Sequence, residues 1–160
     1  MPARRGALAP ALPFGLTAET GPSMLDAEQI QARGFGRARE ARASEVLEDY
    51  AELIDDLVCE SGAARATEIA RRLGVSHVTA VKAVARLERE GLAVAQPYRG
   101  VTLTEAGRTL AARVRARHRI VLEVLLALGV PPEDAKADAE GIEHYVSPAT
   151  LAAFASFLSK

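Results

Sequence analysis

From Ser44 onward, apolar side chains recur every three to four positions: Leu47, Tyr50, Leu53 with Ile54, and Leu57 with Val58. This period predicts one long amphipathic helix ending near Ser61, where Gly62 stops it. Residues 67–73 predict a short second helix. Gly74-Val75-Ser76 reads as a tight turn in which Gly74 supplies backbone freedom and Ser76 caps a third helix running to Glu90. The period then changes. Residues 92–95 and 101–103 read as two short strands, joined by the turn residues Gln96-Pro97-Tyr98-Arg99-Gly100. Thr104 caps a further helix that runs to Leu128. Pro131-Pro132 opens a helix over about 133–144, and Ser147-Pro148 caps and starts a last one that runs to Phe157.

Helix, helix, turn, helix and a two-stranded wing is the order of a winged helix-turn-helix. The predicted fold is therefore mainly α: a winged helix-turn-helix domain over 41–108, followed by a helical domain over 109–160. Residues 1–40 are rich in Ala, Gly, Pro and Arg and show no sustained period. They are read as a disordered extension, with 24–33 as a candidate short helix. Arg4 and Arg5 precede an apolar stretch, but Pro10 and Pro13 break it and no cleavage site follows, so the chain is expected to be cytoplasmic.

Composition narrows the classes. The chain has 160 residues, of which 49% are apolar, too many for a wholly disordered chain. Its single cysteine, Cys59, excludes an intramolecular disulfide framework and a multi-cysteine zinc site. No apolar run is long enough for a membrane helix. The net charge of −1 conceals segregation. Residues 44–64 hold seven acids and no base, residues 65–121 hold twelve bases and four acids, and residues 122–160 hold six acids and two bases. Such segregation points to an anionic partner for the centre and a cation for the acids, unless these are simply solvated helix faces.

Ile69 and Leu73 of the second helix, Val75 of the turn and Ala80, Ala83, Val84 and Leu87 of the third helix make the small core. With Ala80 facing inward, Val78, Thr79, Lys82, Arg86 and Arg89 fall on the opposite face, suited to a major groove. Ser76 adds the cap at that helix's entry. Lys82, Arg86 and Arg89 suit phosphates or guanine edges, and Val78 a thymine methyl. Tyr98 and Arg99 at the wing tip suit backbone or minor groove. Double-stranded DNA is the partner these residues predict; a helical hairpin that binds none stays open.

A second constellation is acidic. Asp49 and Glu52 share a helix face, as do Glu140, Glu143 and His144, and His118 lies on the helix between. Four carboxylates and two imidazoles suit a hard-to-borderline divalent ion such as Mn²⁺, with Fe²⁺ as the alternative. Glu140-Gly-Ile-Glu-His144 resembles an inverted zincin motif but has Glu at the first ligand position. Neither two Glu-x-x-His pairs nor a phosphate loop nor a nucleophile elbow is present, so no enzyme is expected.

These blocks together resemble the DtxR/MntR family of metal-dependent transcriptional repressors, and its manganese-responsive branch in particular. The blocks are Leu47-Glu-Asp-Tyr-Ala-Glu-Leu-Ile54, Ile69-Ala-Arg-Arg-Leu-Gly-Val75, Tyr98-Arg-Gly-Val-Thr-Leu-Thr104, Arg117-His118, Leu128-Gly-Val130 and Asp138-Ala-Glu-Gly-Ile-Glu-His144. The resemblance implies that Asp49, Glu52, His118, Glu140, Glu143 and His144 bind a pair of Mn²⁺ ions. It also implies a homodimer formed by the helices from about 105 onward. Iron-responsive relatives have Met at the Asp49 position and Cys at the Glu143 position; carboxylates there favour the harder ion. Tyr145, Val78 and the Ala80-Val81 order depart from common members, which bears on the operator rather than on the fold. The chain is expected to end without the SH3-like third domain of the iron-responsive relatives. The implied function is metal-dependent repression of manganese uptake and homeostasis genes. Without metal, the mutual repulsion of four carboxylates is expected to leave the domain junction loose. A winged-helix regulator sensing a non-metal ligand, and a metal-storage or scaffold module that ignores DNA, are the competing expectations.

Overall fold

The structure, a computed structural model, describes residues 24–159. Helix α1 (Met24–Ser61) is followed by α2 (Ala66–Leu73), α3 (His77–Arg89), the strands β1 (Ala93–Gln96) and β2 (Gly100–Leu103), α4 (Glu105–Ala127), α5 (Pro132–Ile142), a 3-10 turn (Glu143–Tyr145) and α6 (Pro148–Leu158). The expected boundaries hold from residue 44 onward to within a few residues. The capping chemistry is in place: Ser76 Oγ accepts from the Thr79 amide, Thr104 Oγ1 from Gly107 and Ser147 Oγ from Thr150, each at 3.1 Å. Gly74 sits at φ 65° and turns α2 into α3.

The start of α1 bears out the candidate helix at 24–33 and corrects the expectation of disorder after it. Residues 24–40 are helical and continuous with the rest of α1; residues 1–23 lie outside the described residues. The cause is local. Ala27, Glu28, Gln29, Gln31, Ala32, Arg33, Arg37, Ala38 and Arg39 are strong helix formers. No apolar stripe marks this part because its side chains from 26 to 35 are all exposed.

One core joins Tyr50, Ile54 and Leu57 of α1 to Ile69 of α2, Ala80, Val84 and Leu87 of α3, and Val101 and Leu103 of β2. Leu73, Val75 and Ala83, expected in this core, are packed at its edge. The wing is an antiparallel pair in which Ala93 faces Leu103 and Gln96 faces Gly100. It is anchored to the chain before α2, where the Val101 amide donates to the Ala64 carbonyl at 2.7 Å. Beyond the wing, α4 buries Val114, Val121 and Val124, and α5 buries Ala135 and Ala139. Helix α4 packs against α1, α5 and α6, so it links the winged helix to the C-terminal helices.

The joint between wing and α4 is tight. The Thr104 hydroxyl donates to the Gly91 carbonyl, and the Thr104 amide to that of Leu92. A Cβ at Gly107 would lie 2.0 Å from the Leu92 carbonyl oxygen. Gly107→Ala is therefore expected to push α4 away from β1, at a cost of about 1–3 kcal/mol. Thermal denaturation of the metal-free protein should show a midpoint lower by roughly 5 °C; a midpoint moved by less than about 1 °C would mean that the joint has slack.

Candidate metal centre and nucleic-acid interface

Three elements bring the six expected ligands together. Helix α1 supplies Asp49 and Glu52, α4 supplies His118, and the end of α5 with the 3-10 turn supplies Glu140, Glu143 and His144. Glu140 is on the last turn of α5, whereas Glu143 and His144 follow in the tighter 3-10 turn, which swings both into the interior. Glu143 is 1% exposed and His144 8%.

Glu143 is the hinge of the arrangement. Its Oε2 lies 2.8 Å from His118 Nδ1, which in turn is 3.8 Å from Glu140 Oε1. Its Oε1 lies 3.7 Å from His144 Nε2, which is 3.1 Å from Asp49 Oδ1. Glu143 thus offers one oxygen to His118 and Glu140, and the other to His144 and Asp49. Donor atoms of His118, Glu140 and Glu143 all fall within 4.8 Å of one another. Glu52 stands beside them on a cavity of about 400 Å³, which Asp49, Glu140 and His144 also line.

The electrostatics fit a cation. Burial pushes the Glu143 carboxyl up to about 7, against the pull of His118, His144 and Arg117. Burial also raises Glu52, with Arg115 opposing. Glu143 Oε2 is buried with no hydrogen bond, although His118 Nδ1 is close, so the two atoms face each other without a properly aimed proton between them. A buried carboxylate oxygen left in this way is costly unless something positive sits there. Hard oxygens with two imidazole nitrogens fit a divalent ion of the Mn²⁺ or Fe²⁺ kind.

Several charged residues around the centre lie outside the set expected from the sequence. Glu48, one residue before Asp49, is 6% exposed. His144 Nδ1 approaches its Oε2 at 2.8 Å and Arg117 Nη2 donates to the same oxygen. Burial pushes Glu48 up, but the hydrogen bonds from His144 and Arg117 outweigh it and hold the carboxyl at about 2. Hydrogen bonds to Asp49 and Glu48 hold the His144 imidazole up at about 10. Arg115 pairs with Asp55 at 2.9 Å and Asp56 at 2.7 Å, and its Nε is 3.8 Å from Glu52. The basic stretch of α4 therefore does not all face an external anion: Arg115 and Arg117 are spent on the acids of α1. These pairs also join α1 to α4 with no metal involved, so the junction is not loose in the way that carboxylate repulsion alone suggests. The signal for Glu48 was its place at the edge of the apolar stripe, beside the fully buried Ala51.

On the other face of the winged helix, Ser76, Val78, Thr79, Lys82 and Arg89 are exposed on or at the start of α3, Val78 by 61%. Ser76 is engaged in its cap, with Thr79 Oγ1 2.8 Å away. Tyr98, at φ 66°, forms the wing tip with Arg99, both exposed. Arg86 differs: its Nη2 donates to the Ala43 carbonyl of α1 at 2.9 Å, and the side chain is half-buried. It ties α3 to α1.

A winged helix joined through a buried carboxylate–imidazole centre to further helices defines a class: metal-dependent DNA-binding regulators. The chain belongs to the iron-dependent repressor family, as an MntR-type member, and is a transcriptional regulator rather than an enzyme. Residues 42–101 match the N-terminal DNA-binding domain of the iron-dependent repressors, and residues 104–160 match their metal-binding and dimerisation domain. The transcriptional regulator MntR of Escherichia coli O157:H7 is 50% identical over 133 residues, 83% of this chain and 86% of that one. MntR of Salmonella typhimurium (strain LT2) is 51% identical over 124 residues, 78% and 79% of the two chains. Among solved structures, the manganese regulator SloR superposes with a TM-score of 0.64 at 27% identity, covering 71% of this chain and 53% of that one. A manganese-dependent transcriptional repressor in complex with manganese superposes with a TM-score of 0.59 at 30% identity, covering 69% and 51%. The chain thus spans about half the length of these two solved proteins.

Proposed function

We propose that this chain is a homodimeric, cytoplasmic, Mn²⁺-activated repressor of manganese uptake and homeostasis genes, with two ions per subunit held by Asp49, Glu52, His118, Glu140, Glu143 and His144. The observation that carries the reading is Glu143, a buried carboxylate shared between two groups of donors, one oxygen to each. All-oxygen and imidazole donors, without thiolate or thioether, suit Mn²⁺, and relatives bearing the name of manganese regulators support the choice. The division is a DNA-binding unit over 41–108 and a dimerisation and metal-binding unit over 109–160.

Bound cations would supply the positive charge that four converging carboxylates lack. The chain does the rest. Asp49 and Glu52 belong to the helix on which α3 packs, and the other four donors belong to the C-terminal helices, so loading the site fixes one unit on the other. Helix α6 is rich in Leu, Ala and Phe yet has no buried residue in the single chain; Phe157 is 47% exposed. A second copy covering it would set two recognition helices at a fixed spacing, which a two-fold operator requires. Val78, Thr79, Lys82 and Arg89 then reach the major groove, while Tyr98 and Arg99 lie over the flanking backbone.

The test is operator affinity measured with and without Mn²⁺, Fe²⁺ and Zn²⁺. Mn²⁺ should tighten DNA binding by an amount equal to a coupling of about 1–3 kcal/mol per site, and operator should tighten Mn²⁺ binding equally. Unchanged affinity at saturating Mn²⁺ sinks the metal switch.

Proton linkage gives a further expectation. At pH 7 the metal-free Glu143 is about half protonated and His144 carries a proton on each ring nitrogen. Ligation requires Glu143 and His144 Nε2 without protons. Mn²⁺ binding should therefore release about one to two protons at pH 7 and weaken as pH falls below it. Calorimetry in two buffers of different ionisation enthalpy counts them; a count of zero contradicts the assignment of these two groups.

A further inference from the structure

Among the buried charged groups of the described residues, Glu48 is the one that the ligand set leaves unused. It is a carboxylate on α1 with a side chain 7% exposed, and it meets two partners from across the junction: Arg117 of α4 and His144 of the 3-10 turn. Its place relative to His144 is specific. Glu48 contacts Nδ1, on one edge of the imidazole, while Nε2 on the other edge faces Asp49 and Glu143. Glu48 thus cannot reach the atoms that converge on Nε2. Arg117 Nη2 donates to the same Glu48 oxygen and also lies 3.4 Å from His144 Nδ1, so the acceptor is itself pinned and its charge balanced. A histidine ligand needs its second nitrogen to be committed as a donor elsewhere, or the ring is free to flip and present the wrong atom.

We propose that Glu48, held by Arg117, is a positioning residue that fixes the His144 ring with Nδ1–H turned to α1 and Nε2 turned to the metal centre. This rests on the assignment of His144 as a ligand. It also makes the DNA-binding unit a partner in metal binding twice over: α1 supplies two ligands and, through Glu48, sets the aim of a third that belongs to the other unit. Glu48 and Arg117 carry opposite charges and are both largely buried, so the pair adds no net charge to the four carboxylates already converging.

The experiment uses the full chain labelled with ¹⁵N-histidine. In the metal-free wild-type protein, the His144 Nδ1 proton should appear as a downfield, slowly exchanging resonance, assigned by its loss in His144→Ala. Glu48→Ala should abolish it and weaken Mn²⁺ binding by about 10–100-fold, read by competition with a chelator. Glu48→Gln keeps an acceptor oxygen at the same reach and should restore much of both. Because Glu48→Ala leaves Arg117 buried and unpaired, Glu48→Leu with Arg117→Met serves as the variant that keeps volume and removes both charges. It should fold, as its circular dichroism will show, and lose the resonance and the affinity as Glu48→Ala does. A residue that merely joins α1 to α4 would leave the Nδ1 signal and the Mn²⁺ affinity in place in that double variant. Persistence of the resonance, or Mn²⁺ affinity within about twofold of wild type, overturns the proposal. Failure of the wild-type chain to bind Mn²⁺ overturns the metal reading itself, and the resonance then still decides whether Glu48 holds the ring.

Discussion

Glu143→Gln is expected to make the metal-free protein more stable while removing its stabilisation by Mn²⁺. Glu143 is buried and its carboxyl is raised to about 7, against about 4.5 for an ordinary one. A carboxyl raised on folding opposes folding once ionised: the penalty begins above the unfolded value and is complete above the folded one. Above pH 7 it amounts to something on the order of 3 kcal/mol. Gln has nearly the same shape and no charge to desolvate, so the metal-free midpoint at pH 8 should rise by about 5 °C. The same change replaces one of the two oxygens by an NH2 that cannot ligate and removes the negative charge, so one of the groups that Glu143 serves loses its donor and the other keeps only a neutral carbonyl. Mn²⁺ at 100 times its dissociation constant should stabilise the wild-type chain by about 2.7 kcal/mol and the variant by nearly nothing. Metal-dependent DNA binding should disappear with it. Thermal scans with and without Mn²⁺ check both halves. A variant less stable without metal, or still stabilised by it, means that Glu143 is a structural acid and not the shared ligand.

The second large effect concerns DNA alone. Lys82→Ala with Arg89→Ala should lower operator affinity at least about 100-fold near 100 mM salt, and should flatten the dependence of log K on log salt by about 2 per protomer. Both side chains are exposed on the face of α3 opposite the buried Ala80. Mn²⁺ affinity in the absence of DNA should not move, because neither residue touches the centre. Arg86→Ala is the contrast. Its guanidinium is committed to the Ala43 carbonyl, so the change should alter the salt dependence less and the thermal midpoint more. A salt slope flattened by about 1 per protomer in Arg86→Ala, half the effect of the double change, would place Arg86 on the phosphates instead.

How much of this was legible beforehand follows from what leaves a mark in a sequence. The caps Ser76, Thr104 and Ser147 and the turn at Gly74 were legible because each is a local arrangement with a fixed residue type. The convergence of Glu140, Glu143 and His144 was legible from spacing, although the last two sit in a 3-10 turn rather than the α-helix expected. The candidate helix at 24–33 was legible, but its continuation through 34–40 was not, because exposed helix carries no apolar stripe and only propensity speaks for it. Glu48 and Arg117 were hidden by distance along the chain, 69 positions, and by a tally that counted each as a surface charge. The tie of Arg86 to α1 leaves no mark in the sequence because its partner is a backbone carbonyl 43 positions away, and a carbonyl has no sequence signature.

The continuity of α1 has a mechanical consequence. Its 38 residues make a rod about 57 Å long. Asp49 lies within the rod, with the Arg86 strap on one side at Ala43 and the anchor of the wing beyond the other end at Ala64. Were the rod to pivot at Asp49 by about 5°, its Ser61 end, some 18 Å away, would travel roughly 1.5 Å. The recognition helix, fastened to the shaft, and the wing, fastened just past its end, would then swing as one piece, and a displacement too small to notice at the carboxylate–imidazole centre would become a change of reach at the exposed face of α3.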